Sequence, residues 1–269
     1  MPNRSRMLAT HRWFAIPNDI RAPRTRSQFV YANRGMTRPT YSWRVAEKDQ
    51  NPAHSPMSPR TTVRRGAKRA HYDPAEIRAI LRDGLIAHVA VNTEQGPLVL
   101  PMVYGIDGDT MYLHGALANS LLKAGADNEV CATVTIVDGL VFAKNAFNHS
   151  MNYRSVVVRG RARVVTDAEE NDRALRAMTD HVVATWDSVR PPNDGELRAT
   201  RVVAIPLDEM SAKIRHGGAI NEEIDADAAV WSGHVPMTTT FGAPVTNGDA
   251  GASVPAQIAA LQGRDAHSR

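Results

Sequence analysis

Cysteine is almost missing from this chain of 269 residues, with Cys131 standing alone. No disulfide can therefore form within one chain, and the sequence fits a reducing compartment. Its run VCATVTIV reads as a buried strand, where a lone cysteine serves as a small core residue. Aromatic residues are scarce, at 6%, which leaves core building to aliphatic side chains. No run approaches the ~20 apolar residues of a membrane-spanning helix. The opening MPNRSRMLATHRWF has no apolar stretch of the secretory kind, so a cytoplasmic protein with no membrane partner is expected. The familiar catalytic signatures are missing as well. There is no G-x-G-x-x-G, no P-loop, no G-x-S-x-G, no H-E-x-x-H and no C-x-x-C. The ten histidines do not fall at metal-ligand spacings, so no metal site is expected.

Charge is present but divided. Residues 1–69 carry 15 Lys and Arg against 3 Asp and Glu, and the other 200 carry 17 against 25. The front is therefore at +12 and the body at −8, which hides behind a net charge of +4. The acidic body speaks against nucleic-acid binding by the body, and only the basic arm offers such a surface. Residues 1–66 show no sustained helix or strand period and too little apolar surface to offset the entropy of ordering, so a disordered basic extension is expected. Three readings of it stay open: a nucleic-acid-binding arm, an organelle-targeting peptide, or a start codon assigned too far upstream, with Met57 as the alternative beginning.

Order begins near His71. Asp73 caps a helix with Pro74 at its first position and Glu76 beside it, Ile77, Ile80 and Leu81 form its apolar face, and Gly84 ends it. Strands follow at 85–92, 97–105 and 110–115, separated by turns at Thr93–Gly96 and Asp107–Asp109, and short turns of this kind imply antiparallel neighbours. A short helix is expected at 120–125 and strands at 130–137 and 140–144, with a turn at Asp138-Gly139. After the polar loop 145–152 comes a long strand, 154–165. Its Val158, Gly160, Ala162 and Val164 face one way and Arg159, Arg161 and Arg163 the other, onto a solvated face. A helix over 168–184, capped by Asp167, buries Leu175, Met178 and Val182. Residues 201–207 read as the last barrel strand, with 210–215 extending the pairing, and residues 236–269 as a flexible tail. The fold class is mainly β, an antiparallel Greek-key barrel with flanking helices, spanning residues 67–235.

Two segments carry candidate chemistry. In YLHGALANSLLK a strand ends at His114 and a helix opens near Ser120. Asn119 and Ser120 either satisfy the helix end or, with Lys123 one turn on, receive a phosphate there. In FNHSMNYRSVVVRG a polar loop runs into a strand. Arg154 can pair with a phosphate through its planar fork, Tyr153 can cover a planar ring, and the alternative is a structured loop with a surface arginine. Both alternatives stay open on the residues alone.

These segments, together with LVLPMVYGIDGDTMYLHGA, NEVCATVTIVDGLVFAKNAFNHSMNYRSVVVRGRARVV and WDSVRPPNDGELRAT, resemble the flavin-binding split barrels of the pyridoxamine phosphate oxidase-like superfamily. The likeness covers roughly residues 60–235 and is similar in detail to the flavin-nucleotide-binding branch that includes the nitroimidazole reductase family. The resemblance implies a homodimer with FMN in clefts between the two barrels. It places the strand of Pro101, Met102, Val103 and Tyr104 along the isoalloxazine, with backbone groups on the ring edge. It brings His114, Asn119, Ser120 and Lys123 to the phosphate, and Tyr153, Arg154 and Ser155 close to the flavin. One departure stands out, since Ser120 and Leu121 occupy positions where relatives carry a basic or imidazole residue. Loss of one charged phosphate partner costs about 1.5–3 kcal/mol, which leaves room for a deazaflavin or haem. The expected reaction is hydride or electron transfer from the flavin to a small-molecule acceptor, with His149 and Tyr153 as candidate substrate contacts. The alternative is a non-catalytic flavin carrier or sensor.

Overall fold

The computed structural model describes residues 55–248, 251 and 253–268. The basic extension up to residue 54 lies outside the described residues. The elements run β1 (Ala70–His71), α1 (Pro74–Asp83), β2 (Ala87–Thr93), β3 (Gly96–Met102), β4 (Tyr104–Asp107), β5 (Thr110–Ala116), α2 (Ser120–Gly125) and β6 (Glu129–Phe142). They continue with β7 (Ser150–Arg161), β8 (Arg163–Val164), α3 (Ala168–Asp180), α4 (Asp194–Ala199), β9 (Thr200–Pro206), β10 (Glu209–Arg215), β11 (Gly233–Pro236) and α5 (Ala256–Ala259).

The strands form two antiparallel sheets, as the alternating pattern and short turns predict. The larger is ordered β1-β10-β7-β6-β2-β3, with β11 also pairing β6, and the smaller is ordered β4-β5-β9-β8. The chain passes between them at Val103, from β3 to β4, and at Ala162, from β7 to β8. The inward side chains of both sheets share one core. Val89, Val134, Val156 and Met210 come from the larger sheet, and Tyr104, Met111, Leu113 and Ile205 from the smaller, with Ile77, Ile80 and Leu81 of α1 added. This is a split barrel, in which two curved sheets enclose one core and remain two sheets.

Several boundaries differ from expectation for identifiable reasons. Strands 130–137 and 140–144 are one continuous β6, because Asp138-Gly139 forms a register shift against β7 rather than a turn. A Cβ on Gly139 would lie 2.7 Å from the Val235 carbonyl oxygen, so only glycine lets β11 approach. The strand after 207 is no mere extension, since β10 sits between β1 and β7. The ordered domain begins before residue 67. Ser58-Pro59 opens a 3-10 turn, Thr61 is buried at 3% exposure, and Arg60 ties it to Glu209 and Glu129. Residues 236–269, expected as a flexible tail, include α5 and a bridge between Thr240 and Asp265. Ala266 is buried, and His267 Nδ1 lies 3.0 Å from the Asp83 carbonyl oxygen.

The outer face of the smaller sheet is covered by α3. Asp167 caps this helix, its carboxylate accepting from the Glu170 amide. Ala174 and Met178 pack on Tyr112, Val202 and Ala204 in a second apolar cluster. The contact depends on Gly105, where an added Cβ would lie 2.4–2.7 Å from the α3 backbone at Ala177 and Met178. No helix among the described residues is long and apolar enough to cross a membrane.

Candidate cofactor-binding site

The alternation that fills the core also defines the face it leaves behind. In β2, Ala87, Val89 and Val91 point inward, so His88, Ala90 and Asn92 point outward. The register carries this across the larger sheet. One row runs Pro101, His88, Thr133, Val157 and Ser211, and the next runs Val99, Ala90, Cys131 and Arg159. A third pairs Thr135 with Ser155 and then Lys213. Val99 is 54% exposed and Val103 40%. On β3, β2 and β6 these rows therefore carry Pro101, Val99, Ala90, Cys131, Thr133, Thr135 and His88, with no carboxylate, whereas toward β7 and β10 the same face carries Arg159 paired with Glu209, and Lys213. Cys131 is half-buried on it, a correction to its expected place in the core, because it occupies the outward phase of β6.

The predicted residues divide between this face and others. Pro101 and Val103 are exposed beside it. Met102 and Tyr104 are in the core, so only their backbones could meet a ring. The Tyr104 hydroxyl donates toward the Leu81 and Gly84 carbonyl oxygens at the end of α1, and its ring packs 4.4 Å from His181. Tyr153 and Ser155 lie on the outward phase of β7, and Ser155 Oγ is 3.1 Å from Thr135 Oγ1. His149 is exposed, its Nε2 3.2 Å from the Ala143 carbonyl oxygen and its ring edge-on to Phe142.

Arg154 takes the inward phase and is already engaged. Its guanidinium donates to Asp83 at 2.7 Å and to Asp138 at 3.0 Å, and it reaches the His267 carbonyl oxygen. Side-chain exposure is only 15% for Arg154 and 17% for Asp83. Burial pulls the guanidinium's pKa down, but the hydrogen bonds and charges of Asp138 and Asp83 outweigh it and hold it above its ordinary value. Arg154 thus ties β7 to the end of α1, to β6 and to the chain's last residues, and its fork is not free for a phosphate.

The phosphate corner is likewise altered. Asn119 Oδ1 accepts from the Leu121 and Leu122 amides, so the capping role is the one the structure adopts. Ser120 and Lys123 are exposed. His114 lies on the α3 side of the smaller sheet, with Nδ1 3.3 Å from Met178 Sδ, and desolvation by burial lowers its pKa. Within one chain, then, His114 and the Tyr153–Ser155 pair sit on opposite sides of the shared core.

Sequence reasoning missed His88, Thr133 and Val157, although strict alternation along β2, β6 and β7 was the available signal. It also missed Arg215, for which no local signal exists. Arg215 is 6% exposed. It donates from Nη1 to Asn152 Oδ1, at 2.5 Å, and from Nη2 to the Gly218 carbonyl oxygen, at 3.2 Å, while its buried Nε has no partner. A separate open cleft of about 460 Å³ lies among Arg78, Ile106, Ala177 and His181 and gathers none of the predicted residues. Among the described residues, no group of three or more His, Cys, Asp or Glu side chains could hold a metal ion.

The family model described as pyridoxamine 5'-phosphate oxidase matches residues 73–214. The chain belongs to that family. Two solved structures are similar over nearly their whole length. The flavocytochrome Anf3 from Azotobacter vinelandii is 32% identical, with 77% of this chain and 99% of that one covered and a TM-score of 0.73. The FAD and heme binding protein from Mycobacterium smegmatis is 29% identical, with 74% and 99% covered and a TM-score of 0.70. No curated protein matches the chain.

Proposed function

We propose that this chain is a flavin-dependent oxidoreductase of the cytoplasm that works as a homodimer. Its flavin, FMN on the resemblance, lies with its ring on the outer face of the larger sheet, over β3, β2 and β6. The observation that carries the reading is that face, with rows of Pro101, His88, Thr133 and Val157 and of Val99, Ala90 and Cys131, in which Pro101, His88 and Val99 are exposed and Ala90, Cys131 and Val157 half-buried. A half-apolar surface suits a planar ring or the same face of a second copy. The separation of His114 from Tyr153 and Ser155 within one chain supports a site completed by two copies.

The residues present fit the ring better than the expected phosphate corner. The backbone between Pro101 and Tyr104 and the hydroxyls of Thr133, Thr135 and Ser155 offer hydrogen bonds beside the face. Asn119 and Arg154, by contrast, are spent on other partners. A bound flavin supplies hydride and electron transfer. The chain orients the ring, excludes water with Val99, Val103 and Val157, and leaves His149 and Tyr153 to meet a small-molecule acceptor.

A second reading adds haem as an electron partner. It is favoured by the near-complete coverage of a flavocytochrome and of a protein that binds FAD and heme. Haem iron requires an axial imidazole, thiolate, thioether or phenolate, and His88 is the imidazole in the central rows of the outer face. The visible spectrum of the purified full chain, with mass analysis of what heat releases, tests both readings. A flavin spectrum with FMN or FAD released supports the first, and a Soret band beside it supports the second. A colourless chain that also fails to bind added FMN, FAD or haem overturns both.

A further inference from the structure

Arg215 ends β10 directly across the ladder from Tyr153. Its burial is paired with an unusual lack of compensation. No carboxylate of any described residue stands within ion-pair distance of it, its Nε has no partner, and its two hydrogen bonds go to a neutral amide and a carbonyl oxygen. A guanidinium in such a position is costly unless a counter-charge is supplied. Nearby groups deepen the deficit. Desolvation lowers its pKa, the charge of Arg69 lowers it further, and Tyr153 opposes them only in smaller part. Lys213, two residues before it on β10, pairs with Ala70 next to Arg69. The contrast with Arg154 is direct, since that less deeply covered arginine has two carboxylates.

We infer that Arg215, with Arg69 beside it, forms an oxyanion site that takes the ionised end of the bound cofactor, a phosphate or carboxylate group. The site deepens the proposed function and rests on it for the identity of the ligand. Its place adjoins the proposed ring face at the β7–β10 ladder. Tyr153 and Ser155 lead from the row of Thr135 and Ser155 to the end of β10, so a planar group on the face can extend its charged end to Arg215. The orphaned Nε supplies a directed donor on a guanidinium already held in place by Asn152 and Gly218, and Arg69 adds a second cation. This relocates the anion from the α2 corner, where the Asn119 amide oxygen is already committed, to the β7–β10 end of the larger sheet.

The test titrates the full chain with inorganic pyrophosphate, followed by thermal unfolding, and separately with FMN, FAD, riboflavin, protohaem and protohaem dimethyl ester. Wild type is compared with Arg215→Gln, Arg69→Gln and Lys123→Gln. Pyrophosphate is expected to raise the wild-type Tm, and Arg215→Gln to weaken pyrophosphate and the charged cofactor by about ten- to a hundredfold. Arg69→Gln weakens both several-fold, and Lys123→Gln changes neither. Selective loss of FMN or FAD affinity identifies a phosphate ligand, and selective loss of protohaem affinity a propionate. Riboflavin and the dimethyl ester are insensitive in either case. If Arg215→Gln does not fold, the Arg69→Gln comparison decides. A wild-type Tm unmoved by pyrophosphate, together with equal cofactor affinities in wild type and both arginine variants, overturns the site while leaving the flavin reading standing. A Tm response to pyrophosphate without binding of any flavin or haem keeps the anion site and removes the proposed function.

Discussion

The two sheets of this barrel treat their outer faces differently. The smaller sheet is sealed by α3, and its rim is closed by a polar network in which Tyr112 donates to Glu170 at 2.9 Å and Arg163 pairs with the same carboxylate. The hydrogen bond from Arg163 chiefly, and that from Tyr112 after it, hold Glu170 below the usual carboxylate range. Among the described residues the larger sheet has no α-helix of that kind, and its outward side chains on β3, β2 and β6 carry no carboxylate in the rows of Pro101 and Val99, while its β10 edge is met by the turns at Pro59–Thr61 and Ala67–Arg69. One face is finished within the chain, and the other is the one on which the proposed flavin and second copy would lie. Substitutions on the sealed side should therefore read out as stability, and those on the open side as binding.

The largest stability loss is expected from Arg154→Ala, which removes the guanidinium shared by Asp83 and Asp138. About 3–5 kcal/mol is expected in urea unfolding, the usual cost of breaking a largely buried pair. A fold of unchanged stability with weakened flavin binding would place Arg154 on the ligand instead. Next comes Met178→Ala, which empties the contact between α3 and the smaller sheet. It should cost about 2–5 kcal/mol and leave cofactor affinity unchanged in the same preparation. Asn119→Ala removes the α2 cap and should cost about 0.5–2 kcal/mol. A much larger loss of flavin affinity than of stability would restore the α2 corner as the phosphate site.

A smaller, pH-dependent effect belongs to His114. Its pKa is lowered in the folded state by burial, so the unfolded chain binds the proton more readily. Stability is intact above the unfolded value of about 6.5 and falls as pH drops below it, until the folded imidazole also protonates. His114→Gln should flatten this part of the stability curve, and denaturant melts between about pH 7 and pH 5 would show whether it does. Smallest of all in stability is Val99→Asp, on the open face, expected within about 0.5 kcal/mol of wild type. Its consequence appears elsewhere: sedimentation should show loss of the dimer, and flavin titration a matching loss of affinity. An unaltered dimer with unaltered flavin binding would show that the open face is not the site.

Much of this architecture was legible in the residues. Alternation along 87–93, 129–137 and 154–161 assigns inward and outward positions, and Asp73, Asn119 and Asp167 mark three helix starts that the structure keeps. The family resemblance named the fold and the flavin-binding group. The candidate site was read less well, because proximity to a ligand was inferred for residues whose neighbours come from elsewhere in the chain. Asn119 serves its own helix, and Tyr104 serves the end of α1. Gly105 looked like part of a strand, yet it is the place where α3 must come close. The final residues looked loose because nothing within them shows that Ala266 and His267 pack beside Asp83.

What the sequence by itself determined is the local grammar of strands, caps and turns, since hydrophobic period and capping act within a few residues. Which arginine is compensated was decided only by tertiary structure. Arg154 meets Asp83 across 71 positions of chain, whereas Arg215 is buried where no described carboxylate arrives. Counter-charges are brought together by the packing of distant elements, and no pattern within either strand records whether they arrive.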